Sequence, residues 1–195
     1  MILGLTGSIG SGKSEAALYF KKCGAYTIDA DKISRDLSQK GSPALKDISK
    51  IFGKEFLYSD GFLNRQKLAD LVFNDKKAMK KLSKLLHSRI FSEIREQIKA
   101  NKKQFKVIII DAPLLFETKL NKMCDKTLAI STKRKIQIKR LKKRNPDWTI
   151  EHIQQRIEAQ MSADEKASLS DFLIDNSYSK IKLKKQIELL YKKLL

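Results

Sequence analysis

The segment Gly7-Ser8-Ile9-Gly10-Ser11-Gly12-Lys13-Ser14 constrains this chain more than any other. It fits G-x-x-x-x-G-K-[ST], a loop whose backbone N–H groups cradle phosphate oxygens. The apolar run Met1-Ile2-Leu3-Gly4-Leu5 reads as a short buried strand, and residues 15–22 read as a helix. Strand, loop and helix in that order are the context the motif requires. Glycines let the backbone curl so that successive N–H groups converge. The positive end of the helix dipole falls at the same point. Ser8, Ile9, Gly10, Ser11 and Gly12 are therefore expected to wrap a polyphosphate. Lys13 would reach its β- and γ-phosphates, and the Ser14 hydroxyl would bind Mg²⁺.

At 195 residues, with 32% charged and 42% hydrophobic side chains, the chain suits one globular domain with insertions. No apolar run approaches membrane-spanning length, and no membrane partner is expected. The N-terminus has neither the basic start nor the small-residue cleavage site of a signal peptide. Cys23 and Cys124 lack C-x-x-C spacing and are too few to staple a domain. They read as free thiols in a reducing compartment, and a cytoplasmic monomer is expected. The net charge of +19 raises the question of nucleic acid. Lysine far outnumbers arginine, however, and is spread over nearly every helical stretch. Readers of base edges favour arginine and aromatic platforms. A solvated basic surface suited to polyphosphate substrates is the better reading, with no specific nucleic acid.

Farther along, Ala25-Tyr26-Thr27-Ile28-Asp29-Ala30-Asp31 reads as a second strand ending in two carboxylates. Strand alternation would put Asp29 and Asp31 on one side. In an open α/β sheet, ligands sit beyond the carboxyl ends of the strands. Asp31 is thus a candidate general base at a substrate hydroxyl or a water-mediated Mg²⁺ ligand, or else only a cap for a helix from Lys32. Residues 32–101 are helical in pattern and read as an insertion covering the acceptor substrate. Pro43 can open a helix to Phe52, Ser59-Asp60-Gly61 is a turn, and Asn64 can cap a helix through Phe73. Leu82, Leu86, Ile90, Ile94 and Ile98 form the apolar stripe of a long helix over 76–100. His87 and Arg89 flank that stripe and are candidate substrate contacts; no second histidine stands near to make a metal site.

Phe105-Lys106-Val107-Ile108-Ile109-Ile110-Asp111 has the continuous β-branched run of a central parallel strand. An acid ending such a strand can hold the Mg²⁺ shell, or cap the turn that follows. Pro113 stops the strand, and Pro113-Leu114-Leu115-Phe116-Glu117 forms a loop at the same sheet edge. Residues 126–130 read as a fourth strand and 133–144 as a basic helix with Ile136, Ile138 and Leu141 as its apolar positions. After the break Asn145-Pro146-Asp147, Thr149 opens a helix to Met161, with Trp148 and His152 at the hinge. Residues 133–168 resemble a lid. Arg140 and Arg144, four apart on one face, are candidates to clamp a transferring phosphoryl group, since planar guanidinium groups stay charged and bind phosphate oxygens in pairs. Residues 171–175 read as a fifth strand and 179–195 as a closing amphipathic helix.

Together these motifs resemble the dephospho-CoA kinase family over nearly the whole chain. The resemblance rests on 5–14, on Ile28-Asp29-Ala30-Asp31, and on Pro113-Leu114-Leu115-Phe116-Glu117. It continues through Gln137-Ile138-Lys139-Arg140-Leu141 with Arg144, then Gln160, then Ile174-Asp175-Asn176. It implies a P-loop NTPase three-layer α/β fold: a five-stranded parallel sheet, a helical substrate-binding insertion and a helical lid. It implies transfer of the ATP γ-phosphate to the ribose 3′-hydroxyl of dephospho-CoA. Asp31, Lys13, Arg140 and Arg144 would be catalytic, and Ser14 and Asp111 would hold Mg²⁺. Glu15 and Asn176 would join the loop in binding ATP, and His87, Arg89, Pro113 and Leu114 would join Asp31 in binding the acceptor. Glu15, Ser88 and Tyr178 stand where the family usually has Thr, Pro and Gly. Two rival readings are a shikimate-type kinase, which would carry a glycine-rich turn after the third strand, and a nucleic-acid-binding protein with a regulatory ATP site, which would bind in a salt-sensitive way.

Overall fold

The computed structural model describes residues 1–37, 39 and 41–195, with the side chains of positions 65, 69 and 73 outside that description. Five parallel strands form one sheet in the order β2-β3-β1-β4-β5. They are β1 (Ile2–Thr6), β2 (Tyr26–Asp29), β3 (Ile108–Asp111), β4 (Lys126–Ser131) and β5 (Phe172–Asp175). Each parallel step needs a crossover, and helices supply them. α1 (Lys13–Lys22) links β1 to β2, and α9 (Lys180–Leu194) follows β5. Between β4 and β5 run α6 (Arg134–Arg144), α7 (Ile150–Glu158) and α8 (Ala163–Leu169). The chain divides into two compact units, 1–29 with 98–195 and 30–97.

The first unit is built on the sheet. Alternation along β3 sends Val107 and Ile109 into a cluster with Leu3, Leu5, Phe20, Leu183 and Ile187, where α1 and α9 cover one face. Ile108 and Ile110 point the opposite way and are equally buried. Burial on both faces explains why the β3 stretch is continuously apolar. In register, Leu5 and Asp29 flank Asp111 on either side, so the carboxyl ends of three strands are level. The strand itself starts only at Ile108, three residues later than the apolar run predicts; Val107 still accepts from the Tyr26 N–H at 3.1 Å.

The second unit holds α2 (Ala30–Asp36), α3 (Pro43–Phe52), α4 (Arg65–Asn74) and most of α5 (Lys76–Asn101). Ser42 caps α3 by accepting from the Leu45 N–H, with Pro43 in the first turn. Asn64 caps α4 through the Lys67 N–H. Leu45, Ile48, Phe56 and Leu68 form its core, with Phe52, Leu71 and Leu82 packed against them. One expectation is corrected here. β2 ends at Asp29, and Asp31 lies in the first helical turn of α2 instead of on a strand. The strand alternation of Asp29 and Asp31 therefore does not hold; a carboxylate in a first turn is favoured by the helix dipole. α8, in the first unit, has no counterpart among the elements expected from the sequence.

Both cysteines are free, and burial pushes the Cys124 thiol up to about 12. No described helix is long and apolar enough to cross a membrane.

β4 and β5 are tied at their amino ends by Asp171. Its carboxylate accepts from the Thr127 N–H and Thr127 hydroxyl, each at 2.8 Å, and pairs with Lys126 at 2.8 Å. The Lys126 ammonium, then the Thr127 hydroxyl, hold its pKa down at about 2. A depressed carboxylate stabilises the fold above its ordinary pKa and loses that contribution as pH falls through its folded value. Asp171→Asn should thus lower the melting temperature at neutral pH. The gap to wild type should close between about pH 4 and about pH 2. Thermal melts across that range check this, and a pH-independent gap would contradict it.

Candidate active site

The loop Gly7–Ser14 leaves β1 and enters α1 as the motif requires, with the Ser11 N–H closing a turn onto the Ser8 carbonyl at 3.0 Å. Gly12 sits at φ 94°, and a Cβ there would lie 2.1 Å from the Asn176 amide nitrogen. Backbone conformation and space therefore both demand glycine. Asn176, just beyond β5, donates to the Ser11 carbonyl at 2.8 Å and is buried. Arg140, on α6, donates to the same carbonyl at 3.2 Å and to the Asn176 carbonyl at 2.9 Å. These bonds occupy part of its fan of N–H donors. Arg144 lies one turn on, exposed in the last turn of α6.

Lys13 forms an ion pair with Asp111, which is 7% exposed at the end of β3. Residues 98 apart in sequence are thus joined by the pairing of β1 with β3. Ser14 is exposed in the first turn of α1. Among the described residues no three His, Cys, Asp or Glu side chains cluster as a closed metal site. Ser14 and Asp111 supply hard oxygen donors, which fits Mg²⁺, an ion that takes one or two protein ligands and completes its shell with phosphates and water. Beside the loop lies a cavity of about 600 Å³ lined by Ser8, Lys133, Arg134, Gln160 and Asp164, among others.

Glu15 is engaged within and beside its helix. The Tyr19 hydroxyl is the largest influence lowering its pKa, and Lys180 lies 3.4 Å away. Its N–H donates to the Gly12 carbonyl at 3.1 Å. Ile9 is likewise held, its N–H on Gln160 and its carbonyl on Gln137.

After β3, the Pro113 carbonyl accepts from the Thr6 hydroxyl at 3.1 Å and from Lys166 of α8. Lys166 is 1% exposed and pairs with Glu117 at 3.0 Å. Leu114 is exposed. The sequence reading assigned Lys166 no role. Its signal was the capping box Ser162-Ala163-Asp164-Glu165, which marks the helix that carries it. At the hinge, Trp148 meets His152 edge-on, Arg156 stacks 4.6 Å from the Trp148 ring, and Thr149 caps α7.

In the other unit, Asp31 is exposed in the first turn of α2, two residues past Asp29, which is the sheet partner of Asp111. Arg89 is committed to Asp47, tying α5 to α3. His87 is exposed and stacks on Phe91, rings 6.3 Å apart.

The family model described as dephospho-CoA kinase matches residues 1–182. The chain belongs to the dephospho-CoA kinase family. A Bacillus cereus relative of that name is 37% identical over 194 residues, covering 99% of this chain and 96% of its own. The solved dephospho-CoA kinase of Campylobacter jejuni is 27% identical with a TM-score of 0.71, covering 99% of this chain and 96% of its own. A solved Thermus thermophilus protein superposes with a TM-score of 0.83 at 25% identity, covering 100% and 98%. The P-loop kinase fold and the parallel sheet expected of a dephospho-CoA kinase are both present.

Breaking a buried ion pair strands the remaining charge and costs about 3–5 kcal/mol. Glu117 keeps part of its side chain in water, so Lys166→Met should cost about 2–3 kcal/mol, below that range. Lys184→Met, which removes an exposed i,i+4 pair with Glu188, should shift stability little. Urea midpoints of the two variants compare them directly; equal shifts would mean Lys166 does not tie α8 to the loop after β3.

Proposed function

We propose that this chain transfers the γ-phosphate of ATP to the ribose 3′-hydroxyl of dephospho-CoA, giving coenzyme A and ADP. The observation that carries the reading is the Lys13–Asp111 pair: the loop lysine and the acid ending β3 meet at the mouth of a phosphate loop in a chain of this family. Lys13 would leave Asp111 for the β- and γ-phosphates, whose charge outcompetes one carboxylate. Ser14 and Asp111 would then hold Mg²⁺, which when bound neutralises phosphate charge.

Asp31 accepts the proton of the 3′-hydroxyl as its oxygen bonds to the γ-phosphorus and the bond to the ADP oxygen breaks. The place of Asp31 just after β2, at the strand ends where ligands bind in such sheets, supports this role. Arg140, through donors not used by the Ser11 and Asn176 carbonyls, and Arg144 stabilise the transferring group; such an arginine is worth about 10³–10⁵-fold in rate. Residues 32–101 bind the acceptor, with His87, Arg89, Pro113 and Leu114 as contacts, and 133–168 act as the lid within a single functional domain. Arg89 would contact substrate through the guanidinium donors that Asp47 does not take. A lid matters because water admitted to the centre would hydrolyse ATP. The +19 charge opposes self-association and suits a monomer. The free thiols suit a reducing, cytoplasmic setting.

A coupled ADP-release assay tests the reading. Wild type should turn over only when dephospho-CoA joins Mg-ATP. Asp31→Asn should lower kcat by about 10²–10⁴-fold while ATP affinity holds. ATP consumption that ignores dephospho-CoA would sink the assignment, and full activity in the variant would remove Asp31 from it.

A further inference from the structure

Ile9 is held on both sides of its backbone by glutamines far away in sequence. Its N–H donates to the Gln160 side-chain oxygen at 2.9 Å, and its carbonyl accepts from the Gln137 amide nitrogen at 2.6 Å. The donor and acceptor character of the backbone fixes which end of each amide points at it. Gln137 is 5% exposed on α6, and Gln160 lies between α7 and α8. The Ile9 side chain packs on Leu141, Ile153 and Ile157. At Gly10 a Cβ would lie 3.0 Å from Leu141 and 3.2 Å from Gln137, so α6 lies directly against the loop.

In a planar trans peptide the C=O and the N–H of the next residue point in opposite directions. Gln137, by holding the Ile9 carbonyl toward α6, turns the Gly10 N–H away from it. Asn176 and Arg140 do the same two residues on: they hold the Ser11 carbonyl and turn the Gly12 N–H away. N–H groups turned away from carbonyl-holding side chains, here those of Gly10 and Gly12, are what an anion needs. The Ile9 N–H, by contrast, is spent on Gln160.

We infer that Gln137 and Gln160 are positioning residues for nucleotide binding, which fix the two peptides that flank Ile9 so that the loop presents its glycine N–H groups before ATP arrives. The inference rests on the nucleotide-binding reading of the loop. Neither glutamine needs to touch ATP. Their contribution is the ordering that the loop would otherwise undergo on binding.

The experiment is equilibrium ATP affinity, measured without acceptor, for Gln137→Met, Gln137→Glu, Gln160→Met and Gln160→Glu, alongside melting temperatures. Loss of a buried hydrogen bond to the loop should weaken ATP by about tenfold in each Met variant. At position 160, where an acceptor is required, Glu should bind ATP more tightly than Met. At 137, where a donor is required, Met should bind more tightly than Glu. A new carboxylate acting only by charge would put Glu below Met at both positions and overturn the inference. So would Met variants that melt earlier yet bind ATP within about twofold of wild type. If a position 137 variant fails to fold, the order at 160 decides alone. Absence of acceptor makes the result independent of which hydroxyl the chain phosphorylates; a wild type that binds no ATP would overturn both readings.

Discussion

A loop that binds phosphate through its N–H groups must keep its carbonyls elsewhere, and in the first unit α6 and the residue just past β5 meet that requirement. The Ile9 and Ser11 carbonyls are held by Gln137, Arg140 and Asn176, partners 128, 129 and 165 residues away. Unsatisfied carbonyls left near a polyphosphate would repel it and carry a desolvation cost of their own. The supports come from α6 and from the end of β5, so the loop is correct only when the sheet and its late crossover are in place.

The order of the sheet makes this possible. β1 lies between β3 and β4, so the loop emerging from it has an acid-tipped strand on one side and, on the other, the strand that leads into α6. Register then levels Leu5, Asp111 and Asp29. The same geometry brings the loop after β3 to α8, where Lys166 is buried against Glu117 and the Pro113 carbonyl. A buried lysine is tolerated only with such partners. That pair makes the segment after β3 and the segment before β5 depend on one another.

Much of this was legible in the sequence, for local reasons. The phosphate loop, the helix starts at Pro43, Asn64, Thr149 and Ser179, and the apolar run ending in Asp111 all act within a few residues of themselves. The family was legible because its motifs are short and ordered along the chain. Less visible were features in which two local rules compete. Ala25 to Asp31 alternates like a strand, yet a helix claims its last two residues. The start of β3 at Ile108 is level with the starts of its neighbours, Ile2 of β1 and Tyr26 of β2, and not with the start of its own apolar run. α8 carried a capping box, but in a polar segment with no strong apolar stripe.

The sequence by itself determined the strand–loop–helix unit, the parallel α/β class and which groups are candidates to meet phosphate, since these follow from periodicity, glycine and charge over short spans. Only the tertiary structure decided that Lys13 rests on Asp111, that Gln137 and Gln160 grip Ile9, and that Lys166 is buried. Those pairings join residues about a hundred or more positions apart, or, for Lys166, bury a charge whose partners lie on another segment. No local pattern encodes which distant hydrogen-bond partner a side chain will find once the sheet has set strand order and register.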